Sequence, residues 1–216
     1  ANTLSLHDAL PISISFSEAV NGFTSTDMTV TNGTLSNLTT SDSKTWTATL
    51  TPTNGITTAS NTMTLDNTGY TDTAGNAGVG LAVSNNYAID TVRPTATIVV
   101  ADTALSIGET SPVTITFSEA VSGFTAADLT VVNGVLSGLT TSDNITWTAT
   151  FTPNSGVSNT INVITLSSSS VVDAAGNTNA SATYSNTYVV DTQRPNATVV
   201  FANTNLGIGQ TSLVTI

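Results

Sequence analysis

The chain has 216 residues, room for two domains of ordinary size, and 39% of them are hydrophobic, enough for packed cores and too many for a disordered chain. Three Lys and Arg stand against 14 Asp and Glu, a net charge of −11, so no basic stripe exists for nucleic acid or an anionic membrane surface. Cysteine is absent, which excludes disulfides and thiol catalysis, and no apolar run approaches the roughly 20 residues of a membrane-spanning helix.

In chain order the first segment is the exception. Ser5-Leu-His-Asp-Ala-Leu-Pro-Ile-Ser13 matches neither later counterpart, Ser106-Ile-Gly-Glu-Thr-Ser-Pro-Val-Thr114 nor Gly207-Ile-Gly-Gln-Thr-Ser-Leu-Val-Thr215. It resembles the translation of a sequencing adapter, so it is expected not to be native, and His7, the only histidine, is given no chemistry. From about Ile12 onward everything recurs. Phe16-Ser-Glu-Ala-Val20 returns as Phe117-Ser-Glu-Ala-Val121, an offset of 117 − 16 = 101. Trp46 returns as Trp147, Asp72 as Asp173 and Asp90 as Asp191 at the same spacing. A period of that length is one domain long, so the chain is an array of whole domains.

Within the complete copy the pattern predicts seven strands, at about 95–100, 112–118, 128–132, 135–141, 145–152, 160–167 and 182–190. Val113-Thr-Ile-Thr-Phe117 alternates with period two, as does Thr146-Trp-Thr-Ala-Thr-Phe-Thr152, which puts Trp147, Ala149 and Phe151 on one face. Trp147 is the largest expected core residue. Asn32-Gly33 and Asn133-Gly134 between β-rich runs are hairpin signals. No stretch keeps a helical period. Seven short strands per copy predict an all-β fold of tandem immunoglobulin-like β-sandwiches, each with two sheets covering one another. The linkers Asp90-Thr-Val-Arg-Pro94 and Asp191-Thr-Gln-Arg-Pro195 are short and proline-containing, so they are stiff. The expected division is 1–91, a unit lacking its first strand, 92–192, a complete unit, and 193–216, the start of a third.

The succession of Phe117-Ser-Glu-Ala-Val121, Asp173-Ala-Ala-Gly-Asn177 and Asp191-Thr-Gln-Arg-Pro195 resembles the bacterial immunoglobulin-like repeats of large surface adhesins. The resemblance covers nearly the whole chain after its first residues. It implies export, a repeat-rich giant protein and a stalk role without enzymatic activity. It also implies calcium at the domain junctions of some relatives.

Sandwich topology gathers carboxylates at one end. The loops holding Glu119 and Asp128, Asp143, and Asp173 with Asn177 lie at the pole beside the preceding linker, which brings Asp90. Converging carboxylates repel unless a cation joins them, and calcium takes about six to eight oxygen ligands. Asp90, Glu119, Asp173 and Asn177 are therefore the expected partial metal shell, with calcium as the cofactor. The competing reading is that Asp173 and Asn177 shape a turn through their own backbone.

The expected function is a structural spacer in a cell-surface or secreted adhesin. The expected partners are neighbouring repeats of the same chain, with host or biofilm surface ligands bound by other parts of the protein. Neither nucleic acid nor membrane insertion is expected. The alternatives are a glycan- or protein-binding module, for which Phe23 and Phe124 are the nearest aromatic candidates although both are expected in the core, and an accessory domain of a secreted enzyme.

Overall fold

The computed structural model describes residues 3–4 and 10–216. His7 and most of the divergent opening string lie outside the described residues. In the second unit, alternating apolar residues turn the strands Ser111–Phe117 and Thr146–Pro153 face-inward, and they pair antiparallel with Ile115 opposite Trp147. Ala96–Val100 and Gly134–Thr141 flank them to complete a four-stranded sheet. Its outer face carries rows of threonine, with Thr114 opposite Thr148 and Thr148 opposite Thr140. These β-branched polar side chains suit a solvated strand face.

The other layer contains Ala104–Leu105, Tyr188–Asp191 and Ser158–Asn162, continued by Leu129–Val131, Ile164–Leu166 and Thr183–Tyr184. Fifteen buried apolar residues from both layers form one core, centred on Phe151 and Tyr188 at 0% and 1% exposure. Their rings meet edge-on at 5.0 Å, and burial pushes the Tyr188 hydroxyl up to about 12. The first unit repeats the plan with Leu10–Ser15, Thr45–Pro52 and Gly33–Thr40 in one layer. The tandem immunoglobulin-like sandwich expected from the sequence is the fold observed. No described helix is long and apolar enough to cross a membrane.

The predicted strand 182–190 is divided into Thr183–Tyr184 and Tyr188–Asp191, which join different sheets, and four further details differ from the sequence reading. Trp147 is only partly buried, at the rim of the core, where it stands edge-on to Phe124 at 5.0 Å. Trp46 stands likewise against Phe23 at 5.1 Å, so the tryptophans occupy matching places. Asn133-Gly134 joins no hairpin, because Leu129–Val131 and Gly134–Thr141 belong to different sheets. Asn133 takes a left-handed φ of 60° to turn the chain between layers, and a Cβ on Gly134 would run into the Phe151 ring. That glycine serves close packing instead of a tight turn.

The predicted strand 160–167 is broken after Asn162, a buried residue whose Nδ2 donates to the main-chain oxygens of Asn159 and Tyr188 at 3.1 Å each. Finally, Ala104–Leu105 pairs in parallel with Tyr188–Asp191, with Leu105 opposite Val190. Two residues are too few to show a period, so nothing in the sequence marks this strand.

Candidate functional site

The loop at 173–177 is built by its own side chains. Asp173 Oδ1 accepts from the N–H groups of Ala175 and Asn177 at 2.8 Å each, and Gly176 holds the φ of 94° that closes the turn. Asn177 Nδ2 donates to Asp173 Oδ2 at 2.8 Å. The first unit makes the same bonds in Asp72-Thr-Ala-Gly-Asn76, with Asn76 Nδ2 to Asp72 Oδ2 at 2.7 Å. Those bonds, led by the one from the Asn76 side chain, hold the Asp72 carboxyl below its usual value. The same side-chain bonds thus shape the loop in both units, as the turn reading requires.

The second unit adds the linker. Asn177 Nδ2 also donates to the main-chain oxygens of Asp90 at 2.9 Å and Val92 at 3.3 Å, and Asn177 is fully buried there. The Arg93 guanidinium donates to Thr178 O at 2.8 Å and to its hydroxyl at 3.2 Å. On the other side, Thr91 is fastened to the first unit. Its N–H donates to Ile56 O at 2.8 Å, and its hydroxyl accepts from Ile56 N at 3.0 Å and donates to Thr53 O at 2.7 Å. One residue, Val92, separates the anchor in one sandwich from the anchor in the next.

Three carboxylates meet at this joint. One oxygen each from Asp90, Glu119 and Asp173 lies within 4.8 Å of the others, with Asp173 buried and the other two half-buried. Asp90 is positioned by Thr57, whose hydroxyl donates to Oδ1 at 2.8 Å, and by the Val92 N–H at 3.2 Å. Burial raises the Glu119 carboxyl above its usual value, and the charges of Asp173 and Asp90 add to the effect.

Of the four residues expected at the metal, the structure brings Asp90, Glu119 and Asp173 together as oxygen donors. Asn177 Nδ2 donates to Asp173 Oδ2 and to the linker, which clamps the joint, and its amide oxygen is the atom through which it would meet a cation. The other two acids expected at this pole cap their own turns. Asp128 Oδ2 accepts from Thr125 N at 2.7 Å, and Asp143 Oδ1 accepts from Thr146 N at 2.8 Å. Phe23 and Phe124 are buried at 4% and 5% exposure, as expected. Sequence reasoning expected Arg93 to pair with a junction carboxylate or lie against the sandwich, and it missed Thr91, although both sit in the repeated Asp-Thr-x-Arg-Pro signal.

The raised Glu119 pKa fixes the sign of a pH effect. The folded protein holds this proton more tightly than the unfolded chain, so the contribution is complete below the ordinary glutamate value and is lost as pH rises through the folded value. Melting in chelator at stepped pH should show this loss, and Glu119→Gln should remove it and stabilise the neutral protein by a few tenths of a kcal/mol, the scale of partly solvated charges. A variant that keeps the parent's pH slope would place the titration elsewhere.

The family comparison agrees with this architecture. The family model described as bacterial Ig-like domain matches twice, at residues 1–89 and 90–190. No curated protein sequence matches the chain. Among solved structures, similarity is found to FdeC, described as a broadly conserved Escherichia coli adhesin, at 14% identity and a TM-score of 0.31, covering 99% of this chain. The chain corresponds to 62% of that protein's length, less than two thirds. The two consecutive family matches span all but the last part of the sequence, and the chain belongs to the bacterial Ig-like domain family.

Proposed function

We propose that this chain is a spacer segment of a bacterial surface or secreted adhesin, and that calcium bound by Asp90, Glu119 and Asp173 stiffens its joint. The role is mechanical. Each sandwich adds length, and the joint decides how far successive sandwiches bend. The observation that carries the reading is the linker itself, fastened through Thr91 on one side and through Asn177 and Arg93 on the other, with three carboxylates gathered upon it.

The donor set fits a hard cation. All three ligands are carboxylate oxygens, with no thiolate or imidazole among them, which suits calcium better than zinc. Half-exposed Asp90 and Glu119 leave the cluster open to water as further ligands. A bound cation would supply the positive charge that relieves the crowding on Glu119. Sites of this kind bind at about 10⁻⁴–10⁻³ M, so millimolar calcium contributes about 0.4–1.4 kcal/mol by linkage. That is small against the stability of a sandwich and large enough to bias a one-residue hinge.

Small-angle scattering of the whole chain should show a longer maximum dimension in millimolar calcium than in chelator, with no change for Asp90→Asn. Superimposable parent profiles would remove calcium from the account and leave the spacer reading standing. The competing glycan-binding reading loses its nearest aromatic candidates, since Phe23 and Phe124 are buried.

A further inference from the structure

One turn beside the joint is open to covalent chemistry. Asparagine is thermolabile because the main-chain nitrogen of the next residue can attack its Cγ. A following glycine, with no side chain, leaves that nitrogen unhindered. The sequence contains four Asn-Gly pairs, beginning at Asn21, Asn32, Asn54 and Asn133, and the fold treats them differently.

Asn32 and Asn133 are held. Asn32 Nδ2 donates to Asn61 Oδ1 at 2.9 Å, and Asn133 Nδ2 donates to Asn162 Oδ1 at 2.7 Å. Leu50 crowds the Cβ side of Gly33, as Phe151 crowds that of Gly134. Asn21 is exposed, but its main chain is paired with Thr71 in a short ladder. Asn54 escapes all of these restraints. It lies exposed with Gly55 in a turn outside the strands. Among the described residues, neither the Asn54 side chain nor the Gly55 N–H has a hydrogen-bond partner. Nothing lies within 4 Å of the place a Cβ on Gly55 would take. In the second unit Ser155 stands where Asn54 would recur, and the Gly156 N–H donates to Thr192 O at 3.3 Å.

This same turn carries the linker. The Thr91 hydroxyl donates to Thr53 O at 2.7 Å and accepts from Ile56 N at 3.0 Å, and the Thr91 N–H donates to Ile56 O at 2.8 Å. Thr91 therefore bridges the residues on either side of Asn54-Gly55. Its hold depends on the length of chain between them.

We propose that Asn54-Gly55 is a site of spontaneous modification, and that its isoaspartate product releases Thr91 from the first sandwich. The Gly55 nitrogen gives its proton to water and bonds to Asn54 Cγ. The Cγ–Nδ2 bond breaks, and Nδ2 takes a proton from water and leaves as ammonia. Water then opens the cyclic imide. Opening at Cγ restores the main chain with aspartate at position 54. Opening at the main-chain carbonyl leaves the Gly55 nitrogen on Cγ, so the chain runs through the side chain and is one methylene longer. Water enters, ammonia leaves, and nothing is oxidised or reduced. Either product adds one negative charge to a chain of net charge −11. Only the isoaspartate lengthens the path between Thr53 O and Ile56 N–H, the two groups that Thr91 Oγ1 joins. The joint thus carries a clock, set by the age of the protein, that loosens one of its two fastenings. The matching anchor in the second unit, Thr192 on Asn154 and Val157, contains no Asn-Gly pair.

The proposal rests on the Thr91 anchor and not on calcium, so the whole chain is aged in chelator, in warm and mildly alkaline buffer. Peptide mapping by mass spectrometry should show Asn54 converting at least tenfold faster than Asn32 and Asn133, and ahead of Asn21. Asn54→Ser, which gives the turn the residue of the second unit, should remove conversion at that position. Amide hydrogen exchange reads the anchor. The Thr91 N–H should exchange at least tenfold faster in the isoaspartate fraction. It should keep the parent rate in freshly prepared Asn54→Asp, which adds the charge without lengthening the chain. Conversion at Asn54 no faster than at Asn32, unchanged protection of Thr91 in the isoaspartate fraction, or equal loss of protection in Asn54→Asp would overturn the proposal.

Discussion

Replacing Phe151 with alanine is expected to destabilise the second sandwich by about 3–5 kcal/mol, the range for emptying a fully buried aromatic site. Phe151 has 0% exposure, meets Tyr188 at 5.0 Å and fills the space left by the missing side chain of Gly134. Its neighbours lie on both layers, so the cavity would open at the seam of the sandwich, where collapse is hardest. Urea unfolding followed by fluorescence in a Trp46→Phe background isolates the signal of Trp147, the other of the two tryptophans. The first sandwich should keep its transition. A loss below about 1 kcal/mol would mean that the layers close around some other residue.

Asn177→Ala should cost about 2–4 kcal/mol and loosen the joint. The two hydrogens of the amide are shared among three acceptors, Asp173 Oδ2 and the main-chain oxygens of Asp90 and Val92, from a side chain with no exposure. Each buried acceptor left without a donor costs about 1–3 kcal/mol. The chain contains its own control. Asn76 makes the corresponding bond to Asp72 in an exposed loop, with no linker bonded to it among the described residues, so Asn76→Ala should cost only about 0.5–1.5 kcal/mol. The excess at Asn177 measures the joint. Scattering should report a wider spread of dimensions for Asn177→Ala alone, and equal costs at the two positions would deny the linker any part in the effect.

Much of this arrangement could be read before the structure. The repeat spacing and alternation such as that of Val113-Thr-Ile-Thr-Phe117 gave five of the seven strands to within a residue, because period-two patterning is imposed by burial on one face, whereas 160–167 and 182–190 were each read as one strand where the chain forms two. The meeting of Asp90, Glu119 and Asp173 followed from topology alone, since loops at one pole of a sandwich share a small space. Patterning does not say which strand lies beside which. That is why Asn133-Gly134 was read as a hairpin when it carries the chain from one sheet to the other. It also explains why Trp147, at an inward position, was expected as the largest core residue, although it packs only partly buried against a core that holds Phe151 and Tyr188. Asn177 was legible as a residue of the cluster, but its donation to the linker was not. An amide offers both an acceptor and donors, and only the surrounding oxygens of Asp90, Val92 and Asp173 decide which end faces them.

The pairing of Ala104–Leu105 with Tyr188–Asp191 bears on what happens when such an array is pulled. The two strands run parallel, one near the entry to the sandwich and one at its exit, with the Val189 N–H bonded to Thr103 O at 2.8 Å. Tension applied through the two linkers slides these strands past each other, so their bonds are loaded side by side and must rupture together. An antiparallel pair loaded at one end would open one rung at a time. The short strand that the sequence hid is thus where a stretched sandwich first resists.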